Sequence, residues 1–231
     1  MITRWLHLNE MGGDPWVLPI WNAVHKAIKA KKVSPISKEL SELGVHVSTR
    51  LNVLPRVIKR LKAEANDLHL ATKAHKPENV FTNAAPGAAM SVDDDLKYQL
   101  IADIDAFLFE INSCAELMGR LFQLLHAHAG SSIADDNLTA ALRAALLKFG
   151  VNGNWFRLLD RNRNFVAHEG TPYLAIDVSD DVKWELLVMK ENLLKFDESE
   201  KFFRWAELLE IFEGFSNAKE ALKKCLIELF K

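Results

Sequence analysis

The residues best suited to chemistry are concentrated in one stretch of the chain, from Trp155 to Gly170. Within it, Arg163 and Asn164 are followed after three residues by His168, in the pattern Arg-Asn-x-x-x-His. A histidine, with a reference pKa of about 6.5, exchanges protons near neutral pH, and an arginine is permanently charged. Together these residue types suit proton transfer beside a negatively charged group such as a phosphate.

The same stretch predicts an amphipathic helix that begins near Asn154 and stops at Gly170, which are a good N-cap and a good C-terminal residue respectively. Apolar residues recur at helical spacing and would form its buried stripe: Trp155, Leu158, Leu159, Phe165 and Val166. Polar residues share a single sector on the other side: Arg157, Asp160, Arg161, Asn164 and His168.

Two arginines are candidates for the position beside His168. Arg163, five residues earlier, lies roughly 140° away around an ideal helix, whereas Arg161, seven residues earlier, lies almost directly over the histidine. The polar face also fits a simpler interpretation, a solvated ladder of ion pairs worth a few tenths of a kcal/mol each. In that case His168 is simply well placed against the negative C-terminal end of the helix dipole.

The Arg-Asn-x-x-x-His string resembles the signature of the HEPN superfamily (higher eukaryotes and prokaryotes nucleotide-binding domains), many members of which are metal-independent RNases. The likeness covers roughly residues 93–231, as a long helix, a second helix, the motif helix, a short insert and a closing helix. It implies an all-α fold: a HEPN-like helical bundle with a short β-hairpin insert, preceded here by an N-terminal helical subdomain. The asparagine after the arginine and the three-residue gap fit Arg163 to this signature best, with Arg161 as the second candidate.

The resemblance implies cleavage of RNA by attack of a 2′-OH on the adjacent phosphate. His168 would take the 2′-OH proton or protonate the leaving 5′-oxygen, and Arg163 would neutralise the phosphorane. Asn164 would orient the imidazole or bind the phosphate. The reaction would need no metal and no cofactor. Members of this family pair their motif helices across a two-fold, which implies a homodimer in which two histidines supply the acid and the base.

Such enzymes often act as toxins, with a cognate antitoxin as a further candidate partner, or in phage defence. The alternative is a non-catalytic HEPN-like or unrelated helical module that binds a nucleotide, RNA or a protein. Candidate substrate-binding residues on the motif helix are Arg157, Asp160 and Arg161.

A local excess of positive charge precedes the motif region. Residues 26–76 contain twelve Lys/Arg and four Asp/Glu, a net charge of +8, although the whole chain has a formal net charge of −2. Such a localised basic surface suits phosphate binding, and lysine-rich helix faces are also common where they serve solubility alone. The candidate RNA contacts here are Arg56, Lys59, Arg60 and Lys62.

Composition limits the class of protein. The chain has 231 residues and is 49% hydrophobic, which is ample for a core. Its two cysteines, Cys114 and Cys225, lie in apolar helical settings and indicate buried thiols in a reducing, cytoplasmic protein.

No apolar run approaches the roughly 18 residues of a membrane span, so no membrane partner is expected. His126 and His128 lack the spacing of a helical metal site.

We expect a boundary near residue 90, within a linker at 76–92, between an N-terminal helical region (1–90) and the HEPN-like domain (91–231). The first region is predicted to hold three helices: one that opens at Pro19, a short one that ends at Gly44, and a longer one from about Pro55 to His75. The second begins with a long helix at Asp93. After the motif we expect a hairpin over 173–189 with its turn at 179–181, then one or two helices from Ser199 onward with a kink at Gly214.

Overall fold

The computed structural model shows a mostly helical chain that also contains short antiparallel strands. For residues 80–84, 87–89 and 168 only the backbone is described. The described residues are 15–74, 80–84, 87–168, 172–177, 184–191, 193, 198 and 200–231. Among these residues, no helix combines the length and apolar composition that crossing a membrane requires.

The first two helices show why the predicted break at Gly44 is wrong. Helix α1 spans Val17–Lys29, and helix α2 runs without interruption over Lys38–Lys73. A Cβ atom built on Gly44 would lie 2.4 Å from Cζ2 of Trp21. Gly44 is therefore explained by the close approach of an indole ring to the α2 backbone, and the helix does not end there.

The helix start predicted near Pro55 is also wrong, because Pro55 lies inside α2. Proline in a helix interior removes a hydrogen bond and crowds the preceding turn, at a cost of about 3 kcal/mol. The apolar stripe on both sides stays buried, including Leu51, Leu54, Val57, Ile58 and Leu61. Each such side chain contributes roughly 1.5–3 kcal/mol on burial, so tertiary packing outweighs the local preference.

The predicted linker contains secondary structure of its own. Strands β1 (Val80–Ala84) and β2 (Gly87–Met90) pair antiparallel. Helix α3 then spans Asp94–His128, which confirms the predicted long helix. Asp93 caps it, since its Oδ1 accepts the N–H of Leu96 at 3.0 Å.

The remaining α-helices and strands follow the predicted order, with one added strand. Helix α4 spans Leu138–Lys148 and helix α5, the motif helix, spans Asn154–His168. The predicted hairpin is confirmed as strands β3 (Tyr173–Asp177) and β4 (Glu185–Met189), which pair with Tyr173 opposite Met189. The predicted turn at 179–181 and the stop at Gly170 lie outside the described residues.

A third strand, β5 (Phe202–Arg204), pairs antiparallel with β4, so helix α6 spans Trp205–Glu228 and the predicted helix start at Ser199 is wrong. Phe202 and Phe203 are both buried in this strand. Pairing with β4 therefore stabilises the segment more than a first helical turn would. The helix then begins with a capping contact, because Oε1 of Glu207 accepts the N–H of Arg204 at 3.4 Å.

The chain divides into two compact units. One is formed by residues 1–52, 114–150 and 219–231, and the other by residues 53–113 and 151–218. Helices α2, α3 and α6 each contribute residues to both. The second unit contains all of α5, the three-stranded sheet and the basic part of α2. The domain boundary near residue 90 stays a prediction.

Candidate functional site

Helix α5 is held in the second unit by aromatic side chains near its two ends. Trp155 is buried and lies edge-to-face with Phe215, at 5.9 Å between ring centroids. A Cβ atom on Gly214 would be 2.2 Å from Cβ of Trp155, so α6 receives the indole where it has no side chain. Near the other end, Phe165 lies edge-to-face with Phe203 of β5, at 5.2 Å. The predicted apolar stripe is thus the face that fixes α5.

Gly214 has a different role from the predicted one. Helix α6 continues through it from Trp205 to Glu228. The absence of a side chain at Gly214 is needed for the contact with Trp155, because the two backbones are too close for a methyl group. Gly214 therefore positions the motif helix, a role that sequence spacing does not reveal.

Arg161 is engaged by the neighbouring helix. Its Nη2 forms a short ion pair with Oε2 of Glu207, and its Nε donates to Oδ1 of Asn162 at 3.2 Å. The side chain of Glu207 is only 22% exposed and also caps the start of α6. Arg161 thus links α5 to α6 through a carboxylate that is largely withdrawn from water.

Arg163 makes contacts only with neighbours on its own helix among the hydrogen bonds of the described residues. Its Nη2 donates to Oδ1 of Asp160 at 3.0 Å and to Oδ1 of Asn164 at 3.4 Å. The side chain of Asp160 is 53% exposed, so this is a solvated i,i+3 pair worth less than about 1 kcal/mol. An incoming anion can replace Asp160 at this arginine at little cost.

Asn162 is a site residue that the Arg-Asn-x-x-x-His pattern does not include. It is 1% exposed and sits within the apolar stripe of α5, where its Oδ1 accepts from Arg161. Its Nδ2 is buried without a hydrogen-bond partner among the described residues. The signal in the sequence is its position: seven residues after Trp155 and three before Phe165, an asparagine interrupts an otherwise apolar face.

In the structure, Arg163 contacts both Asp160 and Asn164, whereas Arg161 pairs with Glu207. Arg157 and Asn164 are exposed, as predicted for the polar sector. Helix α5 ends at His168, whose backbone completes the last turn and whose side chain lies outside the described part of the chain. The structure therefore gives the position of the His168 backbone, at the end of α5, and does not describe its imidazole.

The basic residues predicted on α2 fall into two groups. All four are exposed, and they differ in their contacts: Nζ of Lys62 lies 6.0 Å from the ring centroid of Phe212. Arg60 instead forms a bidentate salt bridge with Asp103 of α3, at 2.7 and 2.8 Å. Asp103 is 8% exposed, so Arg60 neutralises a buried carboxylate and stabilises the packing of α2 on α3.

A second carboxyl group lies beside this salt bridge. Burial raises the pKa of Glu64 above its ordinary value, and the negative charge of Asp103 raises this pKa further. The partly opposing effect of Arg60 is smaller. The group formed by Arg60, Glu64 and Asp103 is therefore a partly buried ionic cluster that links α2 to α3.

An open cavity of about 530 Å³ lies in the first unit, between α1 and the end of α6. Its polar lining includes Lys26 and Lys32, while alanines, Ile227 and Phe230 supply much of the apolar lining. It contains no residue of the motif. Within the described residues, no group of three or more His, Cys, Asp or Glu side chains is arranged to hold a metal ion.

Comparison of the chain with models of protein families, with curated proteins and with solved structures found no match in any of the three.

Proposed function

We propose that this protein is a metal-independent endoribonuclease of the HEPN type. The observation that carries the proposal is the state of Arg163, a half-exposed motif arginine five residues before the helix-terminal His168. Among the described residues, its hydrogen bonds are to Asp160 and Asn164 of its own helix, and the pair with Asp160 is weak and solvated. An arginine that neutralises a phosphorane has to be available to an anion. Arg163 meets that requirement, and Arg161 does so less well because Glu207 holds it.

The proposed reaction is an internal transesterification of RNA. A histidine removes the 2′-OH proton as the 2′-oxygen attacks the adjacent phosphorus, and a second histidine protonates the 5′-oxygen as the P–O5′ bond breaks. Arg163 offsets the negative charge that accumulates on the phosphorane, and Asn164, in contact with Arg163, binds the phosphate or orients His168. The products are a 2′,3′-cyclic phosphate and a 5′-OH.

Two histidines are required in this scheme because one imidazole does not readily serve as base and acid in the same step. We therefore propose a homodimer in which the α5 helices of two copies meet across a two-fold axis. The exposed side of α5 offers charged and polar groups for a shared cleft rather than a continuous apolar interface.

The substrate backbone is proposed to extend from α5 to the exposed basic residues of α2, which belong to the same compact unit. Arg56, Lys59 and Lys62 supply this charge, and Arg60 contributes less because Asp103 neutralises it. In its biological setting, the enzyme is proposed to act in the cytoplasm as a toxin with a cognate antitoxin, or as a phage-defence effector.

The central test compares purified wild-type protein with His168→Ala and Arg163→Ala on end-labelled RNA. Each substitution should reduce cleavage by at least about 100-fold, the usual contribution of a proton-transfer or charge-stabilising group. Arg143→Ala is a matched control, because Arg143 is an exposed arginine of α4 outside the motif. EDTA should leave the rate unchanged, and the products should carry cyclic phosphate ends.

Mixing the wild type with His168→Ala tests the shared cleft. Random pairing at equal amounts leaves about a quarter of the dimers with two intact chains, so activity should fall to about a quarter. A fall to one half, or a monomer by light scattering at tens of micromolar, contradicts the shared site. If RNA is bound but no cleavage depends on His168, the protein is a non-catalytic binding module.

A further inference from the structure

Phe156 is an aromatic side chain that α5 leaves open to solvent. It is 46% exposed, whereas the adjacent Trp155 is 7% exposed. The Phe156 ring lies edge-on to the indole of Trp155, at 5.5 Å between centroids and an interplanar angle of 89°. Because Trp155 is itself fixed against Gly214, this contact holds Phe156 in place and leaves much of its apolar surface uncovered.

Phe156 shares an edge of α5 with Arg163. Seven residues correspond to nearly two helical turns, so the two side chains leave the helix roughly 20° apart in direction and about 10 Å apart along its axis. Asp160 lies between them, one turn from each. An anion at Arg163 would therefore have an aromatic surface within reach of its neighbouring groups.

The charge on this helix favours a polyanion as the occupant. Helix α5 carries three arginines, Arg157 and Arg161 on its exposed side and Arg163 half-exposed, against one carboxylate, Asp160. Glu207 pairs with Arg161 and Asp160 pairs with Arg163, so this side of α5 keeps a net charge of +1 after both pairs are counted. A ligand with alternating phosphates and flat apolar surfaces matches this arrangement.

We propose that Phe156 stacks on an unpaired base of the RNA close to the phosphate bound at Arg163. The inference rests on the proposed function, since it takes the Arg163 edge of α5 as the place where RNA binds. Stacking at Phe156 implies that the substrate is a single-stranded segment or a loop, because the bases of an A-form duplex are stacked on one another and present no free face. Phe156 is then a determinant of substrate structure and has no part in proton transfer.

The test measures binding of the wild-type chain to 2′-O-methyl oligoribonucleotides, which cannot undergo 2′-OH attack, as a single strand and as a duplex. Phe156→Ala should weaken single-strand binding by about 5- to 150-fold, the range for loss of one base–aromatic contact. Duplex binding should be unchanged, and Phe156→Trp should retain single-strand affinity. Phe109→Ala removes an exposed phenylalanine of α3, 54% exposed, and should have no effect.

The outcomes separate this inference from the proposed nuclease activity. Equal losses for the single strand and the duplex, or no loss with Phe156→Ala, overturn the stacking role even if cleavage depends on His168. Selective loss of single-strand binding supports the stacking role even if no cleavage is found. If Phe156→Ala instead converts a dimer into a monomer in light scattering, with single-strand affinity retained by that monomer, Phe156 is a subunit contact and the inference is wrong.

Discussion

Replacing Gly214 by alanine tests whether the close contact of Trp155 with the α6 backbone at Gly214 positions the motif helix. Three glycines lie inside helices of the described chain, and they differ in what an added methyl group would meet. At Gly214 it would be 2.2 Å from Cβ and 2.4 Å from Cγ of Trp155, atoms that cannot move without moving α5. At Gly119, in α3, it would be 3.5 Å from Cδ1 of Leu142, an ordinary contact.

The expected magnitude follows from two opposing effects. Alanine in place of glycine stabilises a helix interior by about 1 kcal/mol in both variants. Overpacking at Trp155 costs roughly 1–3 kcal/mol, and the 2.2 Å approach places Gly214 at the upper end of that range. Gly119→Ala should therefore gain up to about 1 kcal/mol, while Gly214→Ala should lose about 1–2 kcal/mol on balance.

Thermal unfolding followed by circular dichroism measures the difference directly, because the helix-propensity gain cancels between the two variants. A change of 1 kcal/mol shifts the Tm of a chain of this size by about 2–4 °C, so Gly214→Ala should melt at least about 4 °C below Gly119→Ala. On the proposed function, its RNA cleavage should also fall at temperatures where it is fully folded, because α5 has moved. An equal rise in Tm for both variants would refute the close contact between Trp155 and the α6 backbone at Gly214.

Two further predictions concern charged groups. Arg161→Ala leaves the largely buried Glu207 carboxylate without its partner, so it should cost about 1–2 kcal/mol, whereas Arg163→Ala should cost less than about 1 kcal/mol. Cleavage should respond in the opposite order, and a larger effect of Arg161→Ala on cleavage would reassign the motif arginine. Separately, burial and the charge of Asp103 raise the pKa of Glu64 in the folded chain. The resulting stability is fully present below the unfolded-state pKa of glutamate and is lost as pH rises through the raised pKa. Denaturant unfolding across pH 4–8 should therefore show a fall in stability toward higher pH that Glu64→Gln reduces, and an unchanged pH profile in that variant would contradict the assignment.

The sequence predicted those elements whose signals lie close together along the chain. The 3.6-residue periodicity from Trp155 to Val166 located α5, and two runs on either side of the turn signal at 179–181 located the β3–β4 hairpin. The acidic start at Asp93 located α3. In each case local propensity and burial favour the same structure, so no knowledge of distant contacts was needed.

The errors occurred where a distant contact decides the local conformation. Gly44 and Gly214 were taken as a helix end and a kink because their partners, Trp21 and Trp155, are remote in sequence. Pro55 was taken as the start of a separate helix, although burial on both sides keeps α2 continuous. The Phe202–Arg204 segment became a strand because the edge of β4 was available to pair with it. Propensity alone cannot anticipate these contacts.

The same limitation applies to the two Arg-Asn pairs of α5, which are alike in sequence and differ in environment. Arg161 contacts a carboxylate that caps another helix, so releasing Arg161 would leave Glu207 unpaired where water reaches it poorly. Arg163 contacts Asp160 on its own helix, and water can replace either partner there. Binding a phosphate requires an arginine to leave its present partner. That exchange costs less at Arg163, and the proposed RNA-binding edge of α5 is therefore the one that Arg163 shares with Phe156.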